Sequence, residues 1–587
     1  MSGEPEFSFK SLFVPFTKIK AVLWIGFVGY LVFFNMLLNG FVEDDKKYII
    51  DYPLVHTVNL IATFGINNFN IAGQYRPIPA TYFSILYFLF GNISFFYHVL
   101  QLSLHISVAI LVYLLFCKFL SKKISFFASL IFLVHPIQVE SVSYIAQTVS
   151  PLFSLFGLIP LLILTKKVVS IKELFISYFL LLLALLTKET GIIFLFLILL
   201  YSFLFIKKSL LKYIFFSLGV ISIYGFIRIG IGHVGLSTRL LPPIASLPLA
   251  TRIINIPAIV FYYVRTLIFP STLAFDQQWT VTTINFSNFY FPFIIDVIFF
   301  SIIIIFGFFL FKKSKKFFKI YLFFFSWFLS SLFFHVQIFP LDATVGDRWF
   351  YLTMIGIIGL LAIIYQSFEL YLNKSVRRII FISICVVILL LSVRTIYRNS
   401  NWVDPITLYT HDILISDDYD LENSLGTEYL EKKDYTRALD HFNKSAILRP
   451  NEFNLHNLGV TYEDMGSMEK AKEYFESALS AKDYKAFLPH KHDENSYKSY
   501  ASILIYFEDY NKANEFIHNA LIDYPDSSDL WMFFSLTQLK LHDENGALSS
   551  AEKAYTIDSN STDTYIYQHV TQNQPFTINL YGKTLDF

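Results

Sequence analysis

Three adjacent carboxylates, Glu43, Asp44 and Asp45, follow directly on an apolar run from Ala21 to Val42. If that run crosses a membrane, the acids emerge where the chain meets water, and an aspartate held there can act as general base toward an alcohol. Further polar residues recur at the ends of later apolar runs: Arg76 in Gln74-Tyr75-Arg76-Pro77, His98 and His105, His135-Pro136 with Glu140, Lys188-Glu189, and Asp347-Arg348. Charged groups at membrane depth are costly, so a set gathered on one side implies a cavity and not lipid contact. In such a cavity Asp44 is the first choice for base. A guanidinium, at Arg348 or Arg76, would hold a phosphate leaving group and neutralise the charge that develops on it.

Simpler readings stand beside these. Acids just past a membrane helix are often merely solvated. His98 and His105, seven residues apart on one helix face, suit hydrogen-bonded packing better than catalysis or metal binding. Arg348, followed by Trp349, Phe350 and Tyr351, suits an anchor at headgroup level, and Lys188-Glu189 suits a helix-end ion pair.

The elements that must position these residues are apolar helices. The 587 residues are 55% hydrophobic and only 16% charged, with 66 Phe and 37 Tyr, more apolar surface than one soluble core of this length needs. A net charge of +1 excludes a generally basic nucleic-acid binder. Only Cys117 and Cys385 occur, both inside apolar runs, so no disulfide framework is expected. No Walker loop, dinucleotide fingerprint, His-Glu-x-x-His or Cys pair at metal spacing occurs, and no cofactor or metal is expected.

About eleven spans are expected, near 21 to 41, 96 to 117, 124 to 139, 150 to 165, 171 to 187, 190 to 206, 213 to 231, 290 to 311, 320 to 338, 350 to 366 and 379 to 396. The first, preceded by Lys10, Lys18 and Lys20, reads as an uncleaved anchor. Stretches 78 to 91 and 252 to 270 break the alternation and read as interfacial or re-entrant. Lysine clusters, among them Lys122-Lys123, Lys166-Lys167 and Lys207-Lys208, then all fall on the cytoplasmic side, which puts the carboxylates and everything after 397 on the other.

After Arg398 the composition turns charged and amphipathic, and a repeat appears. Gly426, Tyr429, Ala438, Phe442 and Pro450 recur 33 residues later as Gly459, Tyr462, Ala471, Phe475 and Asp483, with weaker copies to Ala554. This is the tetratricopeptide pattern, in which small residues let paired helices approach and large ones fill the groove. About four repeats over 418–558 are expected, with an insertion near 482 to 492. Such a solenoid offers a surface for extended peptides, or serves only as a spacer. His-Asp-Glu-Asn at 492 and again at 542 reads as turn composition.

Taken together, Phe41-Val42-Glu43-Asp44-Asp45, Tyr75-Arg76-Pro77, His98 with His105, His135-Pro136 to Glu140, Lys188-Glu189, Asp347 to Tyr351 with Gly356, and repeats after Trp402 resemble the transmembrane and tetratricopeptide-repeat O-mannosyltransferases and their bacterial relatives. These are membrane glycosyltransferases of the GT-C type. The resemblance covers nearly the whole chain and implies an all-α protein: a GT-C-like membrane domain over 1–398, then a soluble tetratricopeptide domain with a C-terminal tail over 399–587. It implies transfer of a sugar, mannose foremost, from a polyprenyl-phosphate donor lipid to an acceptor hydroxyl outside the cytoplasm, with the repeats recruiting an acceptor protein or peptide. By resemblance Asp44 is the catalytic base and Asp45 can share its role. Arg348, Arg76 and Lys188 hold the donor phosphate, and Glu43, His98, His105, His135, Glu140, Glu189, Asp347 and Tyr351 line the cavity.

The chain departs from the family where many relatives carry an Arg and an Asp after Glu140; here stand Thr148 and Ser150. A catalytically degenerate scaffold that organises an envelope or secretory complex is the alternative those two residues support. Ile, Phe, Lys and Asn usage suggests a bacterial inner membrane, with the repeats on the periplasmic side, or the lumenal side if the membrane is an organelle's.

Overall fold

A computed structural model describes residues 16–65, 74–166, 168–234, 242–481 and 492–587. Lys10, Lys167, Asp483 and the expected insertion up to 491 lie outside the described residues. The chain divides into two compact units, Met1–Ser416 and Asp417–Phe587. The division falls later than the composition change after Arg398, because the amphipathic helix Pro405–Asp412 is tied to the first unit. Asp412, wholly buried, takes two bonds from the Arg398 guanidinium, at 2.7 and 2.9 Å.

The first unit is helical. Eight helices among the described residues are long and apolar enough to cross a membrane, or nine if the bent pair Lys122–Val134 and Pro136–Ser143 counts as one span. Against eleven expected spans, the difference lies at three runs. Helices Lys18–Val32 and Ile171–Thr187 have 15 and 17 residues, short of the roughly 20 a bilayer needs, and the third run is the bent pair. The first helix breaks at Phe33 into the short turn Phe34–Leu38. Stretches 78 to 91 and 252 to 270 form Pro77–Phe90, 14 residues, and Leu249–Ile268, 20 residues with Pro257 inside.

The bend of 53° has a local cause. Pro136 lacks an N–H and forces the preceding residue out of the helical region, and His135 is extended at φ −72° and ψ 129°. The His135 Nδ1 then accepts the Ile137 N–H at 3.2 Å, so the chain restarts as a new short helix that carries Glu140. Asp347–Phe368 is the most enclosed of the candidate spans, 78% buried against 11% for Lys374–Ser400. It gets there through Gly356, where a Cβ would stand 2.6 Å from the Phe328 backbone nitrogen, so no other residue allows the two helices this approach.

The second unit holds four helix pairs: Tyr419–Glu431 with Tyr435–Leu448, Glu452–Asp464 with Met468–Ser480, Glu494–Tyr506 with Tyr510–Asp523, and Ser528–Lys540 with Glu544–Ile557. The 33-residue spacing has its physical reason in the first two. A Cβ on Gly426 would meet the Phe442 ring at 2.6 Å, and one on Gly459 would meet Phe475 at 2.5 Å. The repeated His-Asp-Glu-Asn is turn chemistry: Asp493 and Asp543 cap the helices that follow them. The tail forms a further helix, Ser561–Thr571, and the one sheet among the described residues, an antiparallel hairpin of β1, Thr577–Leu580, and β2, Lys583–Asp586.

Candidate active site

The segment from Phe41 to Asp45 leaves the first helix in a conformation that needs holding. Glu43 sits at φ +51°, in the left-handed region that side chains rarely adopt. Three contacts fix it. The Val42 N–H donates to Asp45 Oδ2 at 3.1 Å, the Ala146 N–H donates to Asp45 Oδ1 at 2.5 Å, and the Tyr409 hydroxyl donates to the Glu43 carboxylate. Asp45 is wholly buried. Burial pushes its carboxyl well above the usual range, opposed by the Val42 and Ala146 amides.

Asp44 is left between these two clamps. Its N–H donates to the Tyr144 hydroxyl at 3.2 Å. Burial raises its carboxyl, while Lys47, the Tyr144 hydroxyl and the Arg348 charge pull it back down. A carboxylate with a raised affinity for protons is what a general base requires. Tyr144 is in turn set by Trp402, with ring centroids 5.6 Å apart, and by Phe275 at 5.5 Å.

Arg348 is placed by Glu140. The Arg348 N–H donates to Glu140 Oε2 at 2.8 Å, and its guanidinium donates to Glu140 Oε1. The side chains are 9% and 2% exposed, so this is a buried pair whose geometry is fixed from both ends. A third bond reaches Asp342 at 3.4 Å, on a side chain that is half exposed. Asp347 accepts the Tyr262 hydroxyl at 2.6 Å, and Tyr262 accepts from Gln277 Nε2 at 2.9 Å.

Arg348 and Lys188 line the same small recess, with Phe153, Thr190, His335, Trp349 and Tyr351. Lys188 is 7% exposed and stands over the Phe153 ring at 5.6 Å. Among the described residues no carboxylate lies within ion-pair distance of its ammonium. Burial, with Arg76 and Arg348 adding to it, lowers its pKa to about 7. Two buried cations facing one small space suit a phosphate. Among the described residues no group of three His, Cys, Asp or Glu could hold a metal ion.

Other expected site residues are committed elsewhere. Lys188 and Glu189 do not pair: Lys188 is extended at φ −155°, and successive side chains of extended backbone point apart. Glu189 binds Arg76 and Arg228, each at 3.3 Å, and takes the Tyr75 N–H at 3.3 Å. Arg76 therefore belongs to an ion cluster and is not among the residues lining the recess. His105 meets the Tyr351 hydroxyl at 2.9 Å and the Leu133 carbonyl at 3.0 Å, and His135 meets the Leu267 carbonyl at 3.1 Å. His98 is fully buried against the backbone of Asn39 and Gly40. These three histidines are buried packing residues and are not among those lining the recess. Thr148 donates to Gln101 and to the Ile145 carbonyl at 2.8 Å, and the Ser150 hydroxyl is buried with no hydrogen-bond partner among the described residues.

Asp342, Arg228, Tyr144, Tyr409 and His335 were not singled out in the sequence. Asp342, six residues before Arg348, was open to detection as a neighbouring opposite charge. His335 stacks on Trp349 at 5.7 Å, and nothing in its sequence surroundings marks it.

The fold and the recess together describe a protein with apolar helices suited to a membrane, a buried acid and cation site, and a helical repeat unit. Comparison with known proteins agrees on the repeat unit. The tetratricopeptide repeat family matches residues 454–484. The chain is 25% identical, over 93% of its length, to a human protein named Protein O-mannosyl-transferase TMTC3, and 26% identical over 72% to the Caenorhabditis elegans Protein O-mannosyl-transferase F38B6.6. It spans 65% and 62% of the length of these two relatives. Among solved structures, YrrB, titled a TPR protein with an unusual peptide-binding site, is 18% identical and covers 31% of this chain and 87% of its own, at a TM-score of 0.24. The resemblance to transmembrane and tetratricopeptide-repeat O-mannosyltransferases read from the sequence thus extends over nearly all of this chain.

Proposed function

We propose that the protein is a membrane glycosyltransferase that moves a sugar, mannose by analogy with its relatives' names, from a polyprenyl-phosphate donor to an acceptor hydroxyl on the non-cytoplasmic side. The observation that carries this reading is Arg348, whose charge acts on the Asp44 carboxyl and which lines one recess with Lys188, so that one acid able to take a proton and two cations able to hold a phosphate are linked through it. The donor phosphate occupies the recess against Arg348 and Lys188. The acceptor hydroxyl lies at Asp44. As the acceptor oxygen attacks the anomeric carbon, its proton passes to the Asp44 carboxylate. The bond from that carbon to the phosphate oxygen breaks, and the departing electron pair stays on a phosphate already facing two positive charges. A single displacement of this kind inverts the anomeric centre, and no sugar is bound covalently to the enzyme.

Within this reading Glu140 and Asp45 are positioning residues. Glu140 aims Arg348, and Asp45 holds the loop that presents Asp44. The eleven-span arrangement, the division of work between membrane domain and solenoid, and the placement of both acids and repeats outside the cytoplasm belong to the same proposal, as does recruitment of an acceptor by the repeats.

Transfer from a polyprenyl-phosphate mannose to a peptide library, with the wild-type chain and Asp44→Asn, is the test. Loss of roughly 100- to 10,000-fold in rate is expected on removing a general base. An unchanged rate removes Asp44 from the chemistry. A second reading, a degenerate scaffold, is favoured by Thr148 and Ser150, which leave neutral hydroxyls where many relatives carry charges; it requires that no donor lipid bind the wild-type chain at all.

A further inference from the structure

The C-terminal hairpin is not a loose end. It lies across the first helices of the second, third and fourth pairs. Leu585 on β2 is buried in the same apolar cluster as Ala501, Leu504 and Ile505, and Leu580 and Phe587 pack against that cluster. Phe576, just before β1, joins a second cluster with Met532 and Leu536. Polar contacts fix the position: the Tyr581 and Ser502 hydroxyls meet at 2.6 Å, and Lys583 donates to the Tyr506 carbonyl at 2.9 Å and to Glu508 at 2.7 Å.

Two features set this segment apart from a simple end cap. The turn is Tyr581-Gly582, with φ +54° and +82°, a geometry whose first position favours Asn, Asp or Gly. A tyrosine kept there is strained, and its phenol is the group that reaches Ser502 and the Glu463 carboxyl. Glu463 Oε2 is itself buried with no hydrogen-bond partner among the described residues, an acceptor still open to a donor from whatever lies on this face. The hairpin also has only two four-residue strands, with Thr577, Asn579, Thr584 and Asp586 turned to solvent. A lone two-stranded hairpin is marginal in water, so its order comes from the helices beneath it.

We propose that this face is a docking surface for a turn-forming segment with the order aromatic, glycine, basic, any residue, aliphatic, and that Tyr581-Gly582-Lys583-Thr584-Leu585 is its resident occupant, displaced when such a partner arrives. The aromatic hydroxyl meets Ser502 and the Glu463 carboxyl, the basic group meets Glu508 and the Tyr506 carbonyl, and the aliphatic side chain fills the Leu585 position. The proposal rests on reading the repeats as a docking surface. It does not rest on sugar transfer.

The test uses the full chain in lipid nanodiscs and no transfer assay, so its failure leaves the transferase reading where it stands. Amide exchange across residues 577–586 is expected to run about tenfold or more faster than across 501–505, because a displaceable segment opens without the helices under it. In Leu585→Ser the hairpin amides speed up further, the thermal transition of the helices holds, and the variant chain, unlike wild type, binds a fluorescent peptide of residues 576–587. The same peptide carrying Lys583→Glu binds at least tenfold more weakly. Equal exchange rates for hairpin and helices, or a Leu585→Ser chain whose helices melt early, would make the hairpin a fixed cap and overturn the proposal. So would a rapidly opening hairpin whose variant chain ignores the peptide.

Discussion

The first unit buries two of its ion pairs almost completely, whereas the repeat unit keeps most of its ion pairs in solvent. Arg398 and Asp412 are 2% and 0% exposed, and Arg348 and Glu140 are 9% and 2%. In the repeats, Lys444 and Asp440 are 50% and 61% exposed, and Lys512 and Glu476 are 47% and 54%. A pair in water gives little, because solvation repays its separation. A buried pair, once broken, leaves a charge with nothing around it. The two units are therefore held by different physics: the repeats by small-to-large packing such as Gly426 on Phe442, the first unit by apolar helices pinned at a few ionic points.

That contrast can be broken in a graded way. The largest effect is expected at Asp44, where Asn substitution removes most of the transfer rate but leaves the thermal transition in place. Asp45→Asn should instead lower that transition, since both Asp45 oxygens hold backbone N–H groups. Next comes Asp412→Asn, which strands the buried Arg398 and should cost about 3 to 5 kcal/mol in a denaturation measurement. If it costs no more than a surface change, the distinction between the units fails.

A smaller effect is expected from pH. Lys188, lowered to about 7, is protonated below that pH and neutral above it. If, as proposed, the donor is anionic and binds the protonated form, donor KM should be lowest below pH 7 and rise at most about tenfold per unit above it, the limit for one proton. Lys188→Met should flatten this dependence, and a slope that survives the substitution points to another group. The smallest effect is Lys444→Ala, expected to change stability by less than about 0.5 kcal/mol.

Much of this was legible in the sequence. All eleven apolar runs are helical, the repeat spacing marks helix pairs, and His135-Pro136 marks the bend that lifts Glu140 toward Arg348. What was not legible is of one kind, contacts between residues far apart in the chain. The Tyr409 hydroxyl reaches Glu43 across 366 positions and Arg348 reaches Glu140 across 208, and no local period reports either. Lys188-Glu189 misled for the opposite reason: adjacency suggested a pair, and extended backbone turned the two apart. The boundary expected at 398 follows composition, whereas the division into compact units falls after Ser416, with the Arg398 to Asp412 pair inside the first unit.

The clamp on Glu43 has a consequence for how the protein is made. Synthesis runs from the N-terminus, so the acidic triplet is made early and waits until Tyr409 leaves the ribosome before its last fastening exists. A nascent chain thus carries an incompletely fastened acidic triplet through almost the whole synthesis of its first unit.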